Sequence, residues 1–296
     1  MFKNALLLLN GNMDQEIIQK NIEWTAGILS THIEHLVIKQ TQYKGHTESI
    51  CREWGSMYEL IIIMGGDGTV HEGVNGIAEL DNPPQLGILP AGTCNDMSRS
   101  LSIPQHLKRA ANTLMNGTTR YIDIGKINDR YFTNFCGIGL IADTSENINK
   151  EWKGMLGKVS YFISALQTIN NTRSFPFKLR VDGKEIEDKA VMVLIANGNF
   201  IGTNQLPFHQ ISLDDGQCDA FIVSQGGASL LRDYLNAKNP LKWDPDQTDI
   251  KHYQGTTMEL QTSAPMKADT DGEIYLETPV SVSSVPEKIP FLVSLK

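Results

Sequence analysis

The sequence predicts two architectures in series: an N-terminal parallel α/β domain, then a C-terminal antiparallel, β-rich domain of sandwich-like type. Three observations predict it. Through roughly the first 120 residues, short apolar runs alternate with helical patterns, as parallel sheets require. After Tyr121 the texture changes, and three Asp-Gly pairs fall between strand-like runs. Asp-Gly is a strong two-residue hairpin signal, because both central residues need positive φ. The 296 residues also suffice for two domains with cores of their own.

The first half supplies strand candidates at Ala5–Leu9, Ile33–Ile38, Leu60–Met64 and Leu86–Leu89. Asp14 is placed to cap a helix with Ile18, Ile22, Ala26 and Leu29 at helical spacing. Val70, Val74, Ile77 and Ala78 repeat at helical spacing directly after a glycine-rich loop. Pro104 is expected to start another helix, with Leu107, Ala110, Ala111 and Leu114 on one face. The boundary is placed near Ile122–Asp123, giving domains 1–122 and 123–289. In the second half, Asp182-Gly183, Asp215-Gly216 and Asp271-Gly272 are each expected to join two strands. Helices are expected across Lys158–Ile169 and Leu230–Ala237.

Composition narrows the function classes. Apolar residues make up 41% and charged residues 20%, as in a globular protein. The net charge of −8 argues against a nucleic-acid binder, which normally carries a basic excess. Cys51, Cys94, Cys136 and Cys218 are scattered without zinc spacing and read as reduced, buried thiols of a cytoplasmic protein. No run approaches the roughly 18 apolar residues of a membrane span. Ala5–Leu9 reads as a strand rather than a leader, so any membrane contact is expected to be peripheral. Lys150–Lys158 mixes lysines with Trp152; it reads either as a lipid-docking segment or as a solvated helix start.

Gly65-Gly66-Asp67-Gly68-Thr69 ends a strand and opens a helix. In such a loop backbone N–H groups can crowd against phosphate oxygens, and a Cβ would hold the ligand off. A carboxylate beside phosphates needs a cation between them, so Asp67 implies Mg²⁺ and a nucleotide. The loop is neither a P-loop nor a dinucleotide fingerprint, since no Gly-Lys-Ser/Thr follows and His71 stands where a third glycine belongs. Gly92-Thr93-Cys94-Asn95-Asp96 ends the next strand. Its residues can serve a nucleotide or its metal, or cap a short helix through Leu101.

Gly65-Gly66-Asp67-Gly68-Thr69-x-x-Glu72 followed by Gly92-Thr93-x-Asn95-Asp96 resembles the diacylglycerol kinase catalytic domain family, which includes bacterial soluble lipid kinases. Thr41-x-x-x-Gly45-His46, Ile122-Asp123-Ile124-Gly125, Leu213-Asp214-Asp215-Gly216 and Asp271-Gly272-Glu273 continue the match in order along nearly the whole chain. Without the family, the later two motifs are ordinary turns. The resemblance implies an ATP- and Mg²⁺-dependent lipid kinase acting on a hydroxyl of diacylglycerol or a related lipid, with its site in the cleft between the domains. It implies ATP binding by the glycine loop (Gly65, Gly66, Asp67, Gly68, Thr69 and Glu72), with Asn10, Thr41, Thr93, Asn95 and Asp96. It further implies catalysis by Asp67 and Glu273, Glu273 being the general base, and a second, structural Mg²⁺ on Asp215 and the carbonyls of Ser212 and Gln217. A homodimer, and a tail of Pro290–Lys296 returning to the first domain, are implied by the same analogy. Two departures stand out: Asn12 replaces a lysine of the related bacterial branch, and His71 replaces the commoner asparagine. Rival readings are a kinase of a soluble acceptor, of the NAD-kinase kind, and a nucleotide-binding regulator without catalysis.

Overall fold

Strand β1 (Phe2–Leu9) is fully buried from Ala5 onward, and it pairs in parallel on both sides. The computed structural model describes residues 1–139, 142, 174–206, 211–224 and 250–295. The chain divides into two compact units, Met1–Ile122 with Glu287–Lys296, and Asp123–Pro286. The two helices expected across Lys158–Ile169 and Leu230–Ala237, and the Lys150–Lys158 segment, lie outside the described residues.

In the first unit β1 leads to α1 (Gln15–Ser30), β2 (Ile33–Gln40), α2 (His46–Trp54), β3 (Leu60–Gly65), α3 (Asp67–Ile77) and β4 (Gln85–Pro90). Two short helices follow, α4 (Asp96–Ser100) and α5 (Leu107–Met115). The strands lie in the order β2-β1-β3-β4, all parallel, as the alternating pattern predicts. Phe291, near the C-terminus, pairs in parallel with Leu86 of β4. All six residues of β3 are buried, which explains its unbroken apolar run; β2 is the edge strand, and five of its eight residues are exposed.

Asp14 does cap α1, accepting from the Glu16 N–H at 2.8 Å. The buried face of α1 is Ile18, Asn21, Thr25 and Leu29, rotated from the expected one; Ile22 and Ala26 are only half-buried. Thr25 is tolerated there because its hydroxyl donates to the Asn21 carbonyl at 2.7 Å. Helix α5 starts at Leu107, not at Pro104: His106 is extended, and the Gln105 side chain is drawn back to the Ser98 hydroxyl and the Ile103 carbonyl. Its buried face is the expected Leu107, Ala110, Ala111 and Leu114.

The second unit is antiparallel. Strand β5 (Thr118–Ile127) enters it and pairs with β6 (Arg130–Phe132). The strands that follow are β7 (Phe135–Gly139), β8 (Phe175–Val181), β9 (Lys184–Ala190), β10 (Met192–Ala196), β11 (Phe200–Ile201), β12 (Asn204–Gln205), β13 (Cys218–Val223), β14 (Ile250–Gly255), β15 (Thr257–Thr262), β16 (Lys267–Thr270), β17 (Glu273–Glu277) and β18 (Val280–Val293). One sheet runs β14-β13-β10-β7-β16-β17; in the other, the start of β18 pairs with β15, β15 with β8, and β8 with β9. Phe177, Leu179, Val181, Met258, Leu260, Val280 and Val282 from the second sheet share one core with Cys136, Ile138, Val193, Ile195, Ala220 and Ile222 from the first. This is sheet packed on sheet, the sandwich the sequence predicts. The six-stranded sheet buries its other face too, through Phe135, Met192, Leu194, Phe221 and Val223.

Asp182-Gly183 and Asp271-Gly272 form two-residue turns with positive φ at both positions, closing Val181↔Lys184 and Thr270↔Glu273. Asp215-Gly216 does not form a hairpin. Residues 211–217 form no strand, because their backbone bonds elsewhere: Leu213 accepts from the Asp123 N–H at 2.8 Å, and the Gly216 N–H donates to the Asp123 carboxylate at 2.6 Å. Strand β13 finds its partners in β10 and β14 instead.

Candidate active site

Strand order β2-β1-β3 places the chain reversal between β1 and β3. After β1 the chain crosses to one side, and after β2 it crosses to the other. In open α/β sheets the crevice at the carboxyl ends of those two strands receives ligands. Asn10 and Gly11 follow β1 there, and Gly65-Gly66-Asp67 follow β3. The two ends are tied together: the Asn10 N–H donates to the Met64 carbonyl at 3.2 Å, and the Asn10 amide donates to the Thr69 hydroxyl at 3.2 Å. The Thr41 hydroxyl joins the network, donating to the Leu9 carbonyl and accepting from the Gly11 N–H, both at 3.2 Å. Gly11 has no substitute here, since a Cβ would lie 1.7 Å from the Thr41 carbonyl oxygen.

The next motif packs on the glycine loop backbone to backbone. A Cβ on Gly92 would sit 2.3 Å from the Gly66 Cα, and one on Gly66 would sit 3.0 Å from the Gly92 Cα. Asp67 locks the two loops. One of its carboxylate oxygens accepts from the Asn95 N–H at 2.8 Å, the other from the Asp96 N–H at 2.6 Å. Asn95, in the left-handed region at φ 55°, folds its own side chain back on Gly92, accepting at 2.9 Å and donating at 3.0 Å. The helix that Asn95 and Asp96 open is the short α4; Asn95, its N-cap residue, makes no side-chain cap bond, and Asp67 supplies a carboxylate there. Thr93 is exposed at the tip of this turn.

Glu72, one turn into α3, reaches a different loop. Its carboxylate accepts from the Gly45 N–H at 2.7 Å and from the Thr47 N–H at 3.2 Å. Glu72 therefore caps α2 and anchors the Thr41–His46 segment. The sequence signal for this role, a Glu on a facing helix, is invisible without the packing of α2 beside α3. Among the described residues, one group of potential metal ligands stands out: oxygens of Asp67 and Asp96 and the Cys94 sulfur lie within 4.8 Å of one another.

The second unit holds the remaining candidates. Asp271, 6% exposed, accepts from the N–H groups of Thr133, Asn134 and Phe135 at 2.8, 2.8 and 3.1 Å. Glu273 follows at the start of β17, half-buried, with its backbone carbonyl accepting from the Thr270 hydroxyl at 3.2 Å. Asp215 accepts from the Gln217 N–H and the Gln254 side chain, both at 3.0 Å. Ser212 turns its hydroxyl to Asp214. Burial raises the Asp215 carboxyl above its ordinary value, and the neighbouring Asp219 and Asp123 push the same way. Asp219 is itself buried and holds His252 at 2.7 Å.

All four cysteines are buried and none is in a disulfide. Burial, with nearby carboxylates, pushes the thiols of Cys51 and Cys218 up to about 12 and raises that of Cys136. These three stay protonated near neutrality and are inert as nucleophiles.

Residues 4–127 match the diacylglycerol kinase catalytic domain, and residues 136–293 match the YegS C-terminal NAD kinase beta sandwich-like domain. The chain belongs to the diacylglycerol kinase family. A candidate lipid kinase of Staphylococcus carnosus (strain TM300) is 31% identical over 296 residues, covering 98% of this chain and 97% of that protein. One from Staphylococcus aureus (strain JH9) is 32% identical with the same coverage. The solved structure of a candidate diacylglycerol kinase from Bacillus anthracis str. Sterne matches with a TM-score of 0.90 at 34% identity, covering 99% of this chain and 96% of that one. Membership of a kinase family makes this diacylglycerol kinase relative a phosphotransferase and implies its use of ATP. Among its described residues no helix is long and apolar enough to cross a membrane.

Proposed function

We propose that the protein transfers the γ-phosphoryl group of ATP to a hydroxyl of diacylglycerol or a related lipid alcohol. The observation that carries this reading is the crevice after β1 and β3. There two glycine backbones touch, and Asn10, Thr41 and Thr69 gather around a loop that opens a helix. A helix opened by glycines offers backbone N–H groups to phosphates, with no side chain to hold them away, and the buried Thr41 and Thr69 hydroxyls brace that loop from within. Thr93, Asn95 and Asp96 on the neighbouring turn would complete the nucleotide's surroundings. The Asp67–Asp96 carboxylate pair fits a hard divalent cation, because each Asp67 oxygen keeps a lone pair beyond the N–H it accepts; the Cys94 thiol does not fit one. Mg²⁺ held there would neutralise charge on the nucleotide's phosphates.

Phosphoryl transfer asks little covalent chemistry of a protein; positioning and charge neutralisation do most of the work. Glu273 would orient the lipid hydroxyl and take its proton as the bond to phosphorus forms. Asp215 suits a second, structural Mg²⁺ with the carbonyls of Ser212 and Gln217, since Asp123 and Asp219 already crowd negative charge around it. The lipid would be met at a membrane surface by peripheral contact, from the cytoplasm, and a dimer belongs to the same analogy.

The test is phosphoryl transfer from γ-labelled ATP with Mg²⁺ in mixed micelles carrying a panel of lipid alcohols. NAD and no-acceptor controls run beside it. Label entering one lipid, and lost in Glu273→Gln, is the expected result. Label in NAD alone would replace the lipid with a soluble acceptor; ATP binding without transfer to any acceptor would leave a nucleotide-binding regulator.

A further inference from the structure

The Asp271-Gly272 turn carries more hydrogen bonding than a hairpin needs. Asp271 takes the left-handed conformation at φ 53°, and Gly272 follows at φ 90°. One Asp271 carboxylate oxygen accepts from the Asn134 and Phe135 N–H groups. The other accepts from the Thr133 N–H and, at 3.2 Å, from the Thr133 hydroxyl. Its own N–H donates to the Phe135 carbonyl at 3.1 Å. The side chain thus docks into three consecutive N–H groups at the start of β7, a concave anion seat. That seat is fixed from behind: the Asn197 and Gly198 N–H groups donate to the Asn134 carbonyl at 2.9 Å, and the Asn197 amide donates to the Thr133 carbonyl at 3.0 Å. The turn is also braced from within, because the Gly272 N–H donates to the buried Asp269 carboxylate at 2.7 Å.

We propose that Asp271 is the positioning residue of Glu273. It clamps the turn to the central strands of the sheet, so that the residue two places on starts from a fixed backbone. The proposal rests on the reading of Glu273 as the general base. Placement matters there because a base misplaced by about 1 Å can lose about 100-fold in rate.

The molecule supplies its own control. Asp182 has the same turn, with φ 45° followed by φ 84° at Gly183, and its carboxylate likewise accepts from two consecutive N–H groups and a hydroxyl, those of Thr256 and Thr257. That turn lies in an exposed hairpin whose closing residue is Lys184. Asparagine at 271 must turn its NH₂ toward an N–H donor, because the two Asp271 oxygens serve different donors. At 182 one oxygen reaches all three donors, so Asp182→Asn controls for the loss of charge at such a turn away from Glu273.

The experiment compares Asp271→Asn, Asp182→Asn and Glu273→Gln in the labelled-ATP assay across pH, with ATP binding followed by calorimetry. Asp271→Asn is expected to lower kcat about 100-fold while KM for ATP stays within about twofold. It should also lose the acid limb of the pH–rate profile, as Glu273→Gln does, because turnover no longer passes through the base. Asp182→Asn should keep both kcat and that limb. A loss spread evenly over pH, or equal losses in the two aspartate variants, would reduce Asp271 to a structural turn residue. Full turnover in Glu273→Gln would overturn the general base itself, and with it this proposal. If Asp271→Asn no longer folds or binds ATP, Thr133→Val decides the matter by removing one donor to Asp271: a several-fold fall in kcat at constant KM supports the clamp, and unchanged kcat refutes it.

Discussion

Asp67→Asn is the obvious probe of a carboxylate proposed to hold Mg²⁺, yet the structure predicts that it also weakens the fold. The Asp67 carboxylate holds the Asn95 and Asp96 N–H groups at 2.8 and 2.6 Å. Asparagine can present its one carbonyl oxygen to a single N–H; its NH₂ then faces the other donor. A bond to a charged acceptor contributes about 1.5–3 kcal/mol, and an orphaned buried donor costs about 1–3 kcal/mol. One bond is weakened and one becomes a donor–donor contact. Since the site is only partly buried, the net loss is about 2–4 kcal/mol. At roughly 2–4 °C per kcal/mol, as in domains of 150–250 residues, the melting temperature should fall by about 4–16 °C. The assay is thermal unfolding followed by circular dichroism, with ATP binding measured at a temperature where both proteins are folded. A variant that melts at the wild-type temperature would refute the reasoning, and Asp67 would have no structural duty. If the fall is seen, lost turnover in Asp67→Asn says less about the metal than lost turnover in Glu273→Gln says about the base.

Two further outcomes follow from the same geometry. Glu72→Ala removes the acceptor for the Gly45 and Thr47 N–H groups and should cost about 1–2 kcal/mol, the usual value of a lost helix cap, read as a lower urea midpoint at unchanged m-value. Asp215 titrates with the opposite sign to a salt-bridged carboxylate. Its folded pKa is raised above the ordinary 3.8, so its contribution is full below that value and is lost as pH rises through the raised one. A divalent cation at this proposed site would reverse the loss, so Mg²⁺ without ATP should raise the melting temperature at neutral pH. An equal Mg²⁺ increment in Asp215→Asn would place the cation elsewhere.

The alternation of apolar runs with helical patterns was enough to read a parallel sheet, because β1, β3 and β4 are buried on both faces and must be apolar throughout. Asp-Gly was enough to read the turns at 182–183 and 271–272, where local dihedral preference and ladder pairing agree. It failed at 215–216. There the backbone's partner is Asp123, some ninety positions away, and no local pattern encodes a bond of that range. The offset of the buried face on α1 has a similar origin: Thr25 is polar on any scale, yet its hydroxyl is satisfied within its own helix and can enter the core.

The resemblance to the family lies in its motifs; the order of the elements, the antiparallel β character of the second half and the glycine loop at the end of a buried strand were all legible in the chain. These depend on periodicity, on glycine's missing side chain and on short-range turn chemistry, all of which are written into neighbouring residues. What the carboxylates hold emerges from packing. Asp67 bonds two N–H groups 28 and 29 positions on, Glu72 two groups 25 and 27 positions back, and Asp271 a strand end 136–138 positions back. A carboxylate's partner is fixed by which backbone donors the fold leaves unpaired beside it. That choice is made when strands and helices pack, not when they are spelled.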